Sequence, residues 1–345
     1  MPPPPPIPLS PTAEMPTLVI GEALTDIITG PDGSRRCCPG GSPANVALGL
    51  ARLGHPVRLA TRMGRDPFGQ VLQTHLGRSG VVLTEGSVSD VPTSTATARL
   101  DAVGAADYTF DITWQLPARA IESARTGATG HLHTGSIATA LAPGADQVLA
   151  AIESARDAAT VSYDPNLRPV LLGKPGDERP RVEHLVSVSD VVKASQEDMA
   201  WLYPGQDIHE VALRWSRSGP SLVVLTFGAD GSEVWWRQGR HAMPAPSIEV
   251  IDTVGAGDAF MSGLISGLLR AGLLGAGRIA GEPGESPPRT RLHSAASSTH
   301  LHQDVLRALR LATRAAALTC TGEGADPPTR ADMKERWGPR PRPAP

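Results

Sequence analysis

Cysteine is scarce in this chain of 345 residues. It has three, of which Cys37 and Cys38 are neighbours and Cys320 stands far away. No even, spaced framework of the kind that staples small secreted domains is present, and no zinc-ligand spacing occurs. A reducing, cytoplasmic setting is therefore expected. Aromatic residues make up only 4%, too few for a base-stacking surface. Excess charge is missing as well: Lys+Arg 32 against Asp+Glu 35 leaves a formal net charge of -3. That balance gives no electrostatic reason to expect nucleic acid or an anionic membrane surface. Long apolar runs are absent. The longest, Ala259 to Leu274, is broken by Ser262, Ser266 and Arg270 and is too short and polar to cross a bilayer. Met1 to Pro16 has neither a positive n-region nor an apolar h-region, so no signal peptide is expected. Lysine is rare beside arginine, a bias that GC-rich coding produces and that carries no functional weight.

What is present suits a sizeable core. Hydrophobic residues make up 40% and charged residues 19%, which rules out general disorder. The length allows one large domain or about two smaller ones. Gly 36 and Pro 33 point to ragged ends or linkers. The proline run of residues 1–16 should be an extended tail, with Met15 a candidate true start. Residues 331–345 should form a second tail, loosest from Trp337 to Pro345. Gly275 to His300, rich in Gly, Pro, Ser and Arg, looks like a loose insertion.

Between the ends, strand-like and helix-like segments alternate. Strands are expected at Thr17–Ile20, Val57–Ala60, His131–Thr134, Thr160–Tyr163, Val191–Lys193 and Leu222–Thr226. Helices are expected at Ala44–Leu53, Phe68–Arg78, Ala145–Ala155 and Asp207–Ser216. This alternation implies βαβ units, a mostly parallel sheet and helices on both faces. Thr95–Leu100 and Tyr108–Ile112 break it and suggest a small β excursion.

The sharpest segment runs Asp252-Thr253-Val254-Gly255-Ala256-Gly257-Asp258. A β-like stretch, Ser247–Ile251, precedes it, and an apolar helix, Ala259–Leu269, follows. Gly255 and Gly257 permit tight curvature and close approach by a ligand. The unpaired N–H groups at the helix start make an anion hole suited to phosphate. A carboxylate such as Asp258 fits there if it takes a hydroxyl proton while the helix end holds phosphoryl charge. Asp258 as a simple helix N-terminal residue is the bland alternative. A second segment, Gly40-Gly41-Ser42-Pro43-Ala44-Asn45, opens another helix. It could bring Asn45 to a small ligand, or be an ordinary glycine turn.

Together these segments resemble the two signatures of the PfkB (ribokinase-like) carbohydrate kinase family. The resemblance extends over nearly all of residues 17–330. It includes Tyr163-Asp164-Pro165-Asn166-Leu167-Arg168, Thr226-x-Gly228-x-x-Gly231 and Gly324-Ala325-Asp326-Pro327-Pro328-Thr329, which are most similar to bacterial fructokinases. It implies an α/β, ribokinase-like three-layer sandwich with a small β-lid, near residues 23–39 and 94–112. It also implies transfer of the γ-phosphoryl group of ATP to a sugar hydroxyl. By that resemblance Asp258 is the catalytic base, with Gly255, Ala256 and Gly257 as the anion hole. Asp26, Gly40, Gly41 and Asn45 would hold the sugar, and Arg168 the substrate or a phosphate. Thr226, Gly228 and Gly231 would lie beside the nucleotide. Asp252 and the Val254 backbone would belong to a monovalent-cation site, with K+ as the ion. Mg2+ would ride on the phosphates and keep several waters. The family often carries Asn-x-x-Glu to organise those waters; here Ser195-x-x-Asp198 stands instead, with Glu197 alongside. The alternative reading of Glu197 and Asp198 is as simple first-turn helix acids. Lids in this family often pair, which implies a homodimer. A fructokinase acting on the 6-hydroxyl is the leading expectation. A 2-keto-3-deoxygluconate kinase, a nucleoside kinase and a catalytically weak sugar-binding relative are the alternatives.

Other signals are discounted. His131 and His133 point the same way but lack a third ligand. His293, His300 and His302 follow the composition of the insertion. Cys37 and Cys38 have only Arg35 and Arg36 to activate them. Trp235-Trp236 is expected to be a strand pair with one ring exposed.

Overall fold

The computed structural model describes residues 15–30, 32–100, 106–119, 122, 129–275 and 287–337. The expected Pro-rich tail before Met15, residues 276–286 of the expected insertion and residues 338–345 lie outside the described residues. The chain runs β1 (Thr17–Ile20), β2 (Leu24–Thr29), β3 (Arg35–Gly40), α1 (Ser42–Arg52), β4 (Val57–Ala60), β5 (Met63–Gly64), α2 (Pro67–Arg78), β6 (Val82–Leu83), β7 (Val88–Ser89), β8 (Thr95–Leu100) and β9 (Ala106–Asp111). It continues through β10 (His131–Gly135), α3 (Gly144–Ala155), β11 (Thr160–Asp164), α4 (Pro175–Ser187), β12 (Val191–Ser195), α5 (Gln196–Leu202), α6 (Ile208–Trp215), β13 (Leu222–Thr226), β14 (Ser232–Trp236) and β15 (Gly239–Met243). The closing helices are α7 (Ala256–Arg270), α8 (Pro288–Ala295), α9 (Gln303–Thr319) and α10 (Arg330–Trp337).

The large sheet has nine strands in the order β15-β14-β13-β12-β11-β10-β1-β4-β6. Its strands pair in parallel except at β13–β14 and β14–β15. Strands buried on both faces must be apolar on both, and β1 shows it: Val19 packs into one core, Leu18 and Ile20 into the other. The first core takes α1, α2, α7, α8 and α9; the second takes α3 to α6. The result is three layers, helix, sheet and helix. A separate four-stranded sheet has the order β3-β2-β8-β9. It leaves the main sheet straight after β1, so its inner face stands over the carboxyl ends of the parallel strands. Among the described residues no helix is long and apolar enough to cross a membrane.

Several expectations need correction. Ser247–Ile251 is not a strand; Ile251 donates its amide to Cys320 O at 2.8 Å, and Val250 and Ile251 are exposed. The helix after the glycines starts at Ala256, not Ala259. The expected loose insertion contains α8, clamped by Arg289, which bonds Asp190 and Ala159 O. The expected tail from 331 begins inside α10, where Met333 is buried. Trp235 and Trp236 are both buried, because β14 is covered on both faces.

Candidate active site

Two helix N-termini meet beneath the small sheet. α7 begins at Gly255, whose φ of 78° is left-handed. A Cβ there would lie 2.6 Å from Ala325 Cβ, so no side chain fits. The loop before it is braced by Asp252, which accepts from Val254 N at 3.0 Å and from Gly324 N at 2.8 Å. The Val254 amide, with Gly324 in support, holds the Asp252 carboxyl below its ordinary range. α1 begins after Gly41, also at positive φ, where a Cβ would lie 2.5 Å from Glu22 O.

Asp258 lies in the first turn of α7 and is buried. Ser42 Oγ donates to its Oδ1 at 2.7 Å and Asn45 Nδ2 to its Oδ2 at 2.8 Å. Both donors stand on the first turn of α1. Such a carboxylate is held in one orientation and can take a proton from a hydroxyl placed before it. The N-terminus of α7 favours oxyanions in this region, although its first amide, Ala256 N, already donates to Thr253 O at 3.2 Å.

Asp26 of β2 faces this region from the small sheet. It lies so close to Gly40 that a Cβ on Gly40 would overlap its carboxylate. Burial pushes Asp26 up to about 6, against the pull of Arg168 and with a further push from Asp258. Arg168 is held by its own loop: its guanidinium donates to Asn166 Oδ1 at 2.6 Å and to Leu167 O at 3.1 Å. The structure thus brings Asp258, Asn45, Gly40, Gly41, Asp26 and Arg168 to one side of the α7 N-terminus.

On the other side is a largely apolar cavity of about 560 Å³. Thr226, Gly228 and Gly231 line it, with Ala256 and Gly257 shared between cavity and helix end. The Ser195–Asp198 pair does not face this space freely. It forms a capping box on α5, and Asp198 Oδ1 also accepts from Leu167 N at 2.7 Å. Glu197 is exposed.

Three buried charged residues near the site escaped the sequence reading. Lys193, 3% exposed, donates to Asp164 Oδ2 at 2.7 Å, and its Nζ lies 3.1 Å from where a Cβ on Gly257 would be. Burial disfavours its charge, but Asp164, Asp198 and Asp258 outweigh burial and raise it. Burial pushes Asp164 up to about 6, and Lys193 pulls against that. A lysine inside an otherwise apolar central strand was the available signal. Glu22, just past β1, accepts from Ala138 N at 3.2 Å, and burial pushes it up to about 7. Nothing in its sequence context separates it from a surface glutamate.

His131 and His133 are buried, and burial lowers each to about 3. Ser162 Oγ lies 2.9 Å from His131 Nε2 and 3.0 Å from His133 Nδ1. Among the described residues no cluster of three metal-ligating side chains occurs.

Residues 17–332 match the pattern described as pfkB family carbohydrate kinase. The chain belongs to this family. It is 34% identical to the fructokinase of Klebsiella pneumoniae over 262 residues, 74% of this chain and 85% of the relative. A putative sugar kinase of Pyrococcus horikoshii is 31% identical over 271 residues, 73% of this chain and 82% of the relative. Among solved structures, a fructokinase from Vibrio cholerae O395, in its fructose, ADP and calcium ion bound form, is 29% identical with a TM-score of 0.72. That alignment covers 92% of this chain and 95% of the other. This pfkB kinase has the ribokinase-like fold of these neighbours and is an ATP-dependent sugar kinase.

Proposed function

We propose that this kinase phosphorylates fructose on its 6-hydroxyl and that Asp258 is the base. The observation that carries the reading is the place of Asp258. It stands at a helix N-terminus, between a polar pocket under the small sheet and an apolar cavity of a size suited to a nucleotide. Phosphoryl transfer depends on in-line positioning and charge stabilisation more than on covalent chemistry by the protein. Each residue has a matching task. Ser42 and Asn45 fix the Asp258 carboxylate, and Asp26 accepts from sugar hydroxyls. Asp258 takes the proton of the attacking hydroxyl, while Gly255 and Gly257, with Ala256 between them, bring the positive end of α7 to the transferred phosphoryl group. Lys193 adds a positive charge behind them. The small sheet acts as a lid that keeps water out. Thr226, Gly228 and Gly231 flank the nucleotide.

Magnesium fits this donor set. Asp164 Oδ1 is buried and has no hydrogen-bond partner among the described residues, which suits a metal-bound water. Bound magnesium would neutralise phosphate charge. Asp252 and Val254 are the proposed monovalent-cation neighbourhood, with potassium the ion. The relatives support this, since one fructokinase structure from Vibrio cholerae O395 has fructose, ADP and potassium ion bound. The open edge of the lid at β3 suits pairing with a second copy. A cytoplasmic location accords with sugar metabolism.

Fructose is favoured over 2-keto-3-deoxygluconate by the surroundings of Arg168. Its guanidinium is held by its own loop and lies in the field of Glu22 and Asp26. An acidic sugar would meet those carboxyls rather than a free cation. The test is ATP consumption, with magnesium and potassium present, on fructose, ribose, 2-keto-3-deoxygluconate and adenosine. Turnover on fructose above the others supports the assignment; preference for another member removes it.

A further inference from the structure

Asp164 ends β11 with its side chain buried. Its Oδ2 accepts from Lys193 Nζ at 2.7 Å. Its Oδ1 is buried with no partner among the described residues. A buried carboxylate oxygen left without a donor is costly, and native structures keep one only where something else supplies the hydrogen bond. The site of this oxygen narrows what that donor is. Lys193 Nζ lies 3.1 Å from where a Cβ on Gly257 would be, so the ion pair stands against the first turn of α7, beside the cavity.

Charge narrows it further. Asp164, Asp198 and Asp258 all act on Lys193 and raise it. A polyphosphate brought to this place would meet a surplus of carboxylates unless a cation came with it. Magnesium arrives on phosphates with most of its waters, and those waters are strong donors.

Asp198, at the position where the family resemblance expects the magnesium-water acid, is committed elsewhere. Its Oδ1 accepts from Leu167 N at 2.7 Å, and its Oδ2 from Ser195 N at 3.0 Å and Ser195 Oγ at 2.8 Å. It fastens the 164–168 loop to the start of α5. Glu197 points to solvent.

We propose that Asp164 Oδ1 receives a coordinated water of the divalent cation that accompanies the nucleotide, that Lys193 positions this carboxylate, and that Asp198 shapes the loop. This rests on the kinase reading of the same site. The test measures binding, not turnover. A non-hydrolysable ATP analogue is titrated calorimetrically with excess magnesium and again with excess chelator, on wild type, Asp164→Asn and Asp198→Asn. Removing an outer-shell partner typically weakens metal affinity about 10- to 100-fold, so in Asp164→Asn the magnesium-dependent gain should shrink by that order. Asp198→Asn should keep the gain and melt at a lower temperature. Because Asp164→Asn strands a buried lysine, Lys193→Met and the double variant Asp164→Asn/Lys193→Met form a second comparison. The gain should weaken but remain in Lys193→Met, whose carboxylate is less firmly held, and vanish in the double variant. An unchanged gain in both Asp164 variants, or its loss in Asp198→Asn alone, overturns the assignment. Failure of wild type to bind the analogue under either condition overturns the kinase reading, and this assignment with it.

Discussion

Asn45 donates to Asp258 Oδ2 at 2.8 Å across 213 positions of sequence. The two glycine-bearing signatures are therefore halves of one device: the first turn of α1 orients the carboxylate carried by the first turn of α7. Asn45, expected from the sequence to contact sugar hydroxyls, is thus also placed to fix the carboxylate. A held carboxylate loses less on ordering when substrate arrives, which is the preorganisation that proton transfer needs.

Asp258→Asn should lower kcat by about 100- to 10,000-fold, the usual weight of a general base. The amide keeps the size of the side chain and its place between Ser42 and Asn45. Sugar affinity, followed by calorimetry, should stay close to wild type. A variant with full turnover would remove Asp258 from the chemistry.

Asp26 links activity to pH. Burial lifts its carboxyl to about 6, above its ordinary 3.8. Between those values the folded state binds more protons than the unfolded one, so this group lowers stability as pH rises and remains a cost above 6. Ionised Asp26 is nonetheless the better acceptor for sugar hydroxyls. KM for sugar should therefore rise as pH falls through about 6, and Asp26→Asn should bind sugar poorly while melting higher than wild type at pH 7.5. An Asn variant that melts lower and keeps its KM would contradict both halves.

His131 and His133 give the opposite slope. Burial lowers each from 6.5 to about 3. The unfolded chain gains protons first as pH falls, so their stabilising contribution is complete above about 6.5 and drains away below it. Each can cost about 1.4 kcal/mol per pH unit in that window. The raised carboxyls of Glu22, Asp26 and Asp164 push the other way in the same window, so the test is a difference: the denaturant midpoint of His131→Asn/His133→Asn relative to wild type should rise from pH 7.5 through 6.0 to 5.0, and a constant difference would show that these rings are not buried neutral.

Gly255→Ala should both destabilise and inactivate. A left-handed φ costs a side-chain-bearing residue about 1–2 kcal/mol. Here the new methyl would also strike Ala325. A lower melting temperature with a reduced kcat is expected. Wild-type values for both would show that the helix start tolerates a shift.

Much of this was legible in sequence because it is local. Apolar runs spaced by helices gave away the parallel sheet, and glycines before helix starts marked the two N-termini. Other features depend on distant partners. Ser247–Ile251 has the composition of a strand but finds no strand neighbour, only the Cys320 carbonyl. The sequence marks the start of α7 three residues late, because Ala256, Gly257 and Asp258 carry no apolar side chain of the size that shows a helix face. Asp198 resembled a metal-site acid until Leu167 appeared beside it. The ion pair of Lys193 and Asp164 joins adjacent strands, and only strand register reveals it.

The most direct test of the central claim follows the product by phosphorus NMR. Wild-type protein is incubated with fructose, ATP, magnesium and potassium. The account predicts ADP and fructose 6-phosphate accumulating together, over many turnovers per protein molecule. ATP left intact beside fructose, or hydrolysed to free phosphate with no sugar ester formed, would contradict it.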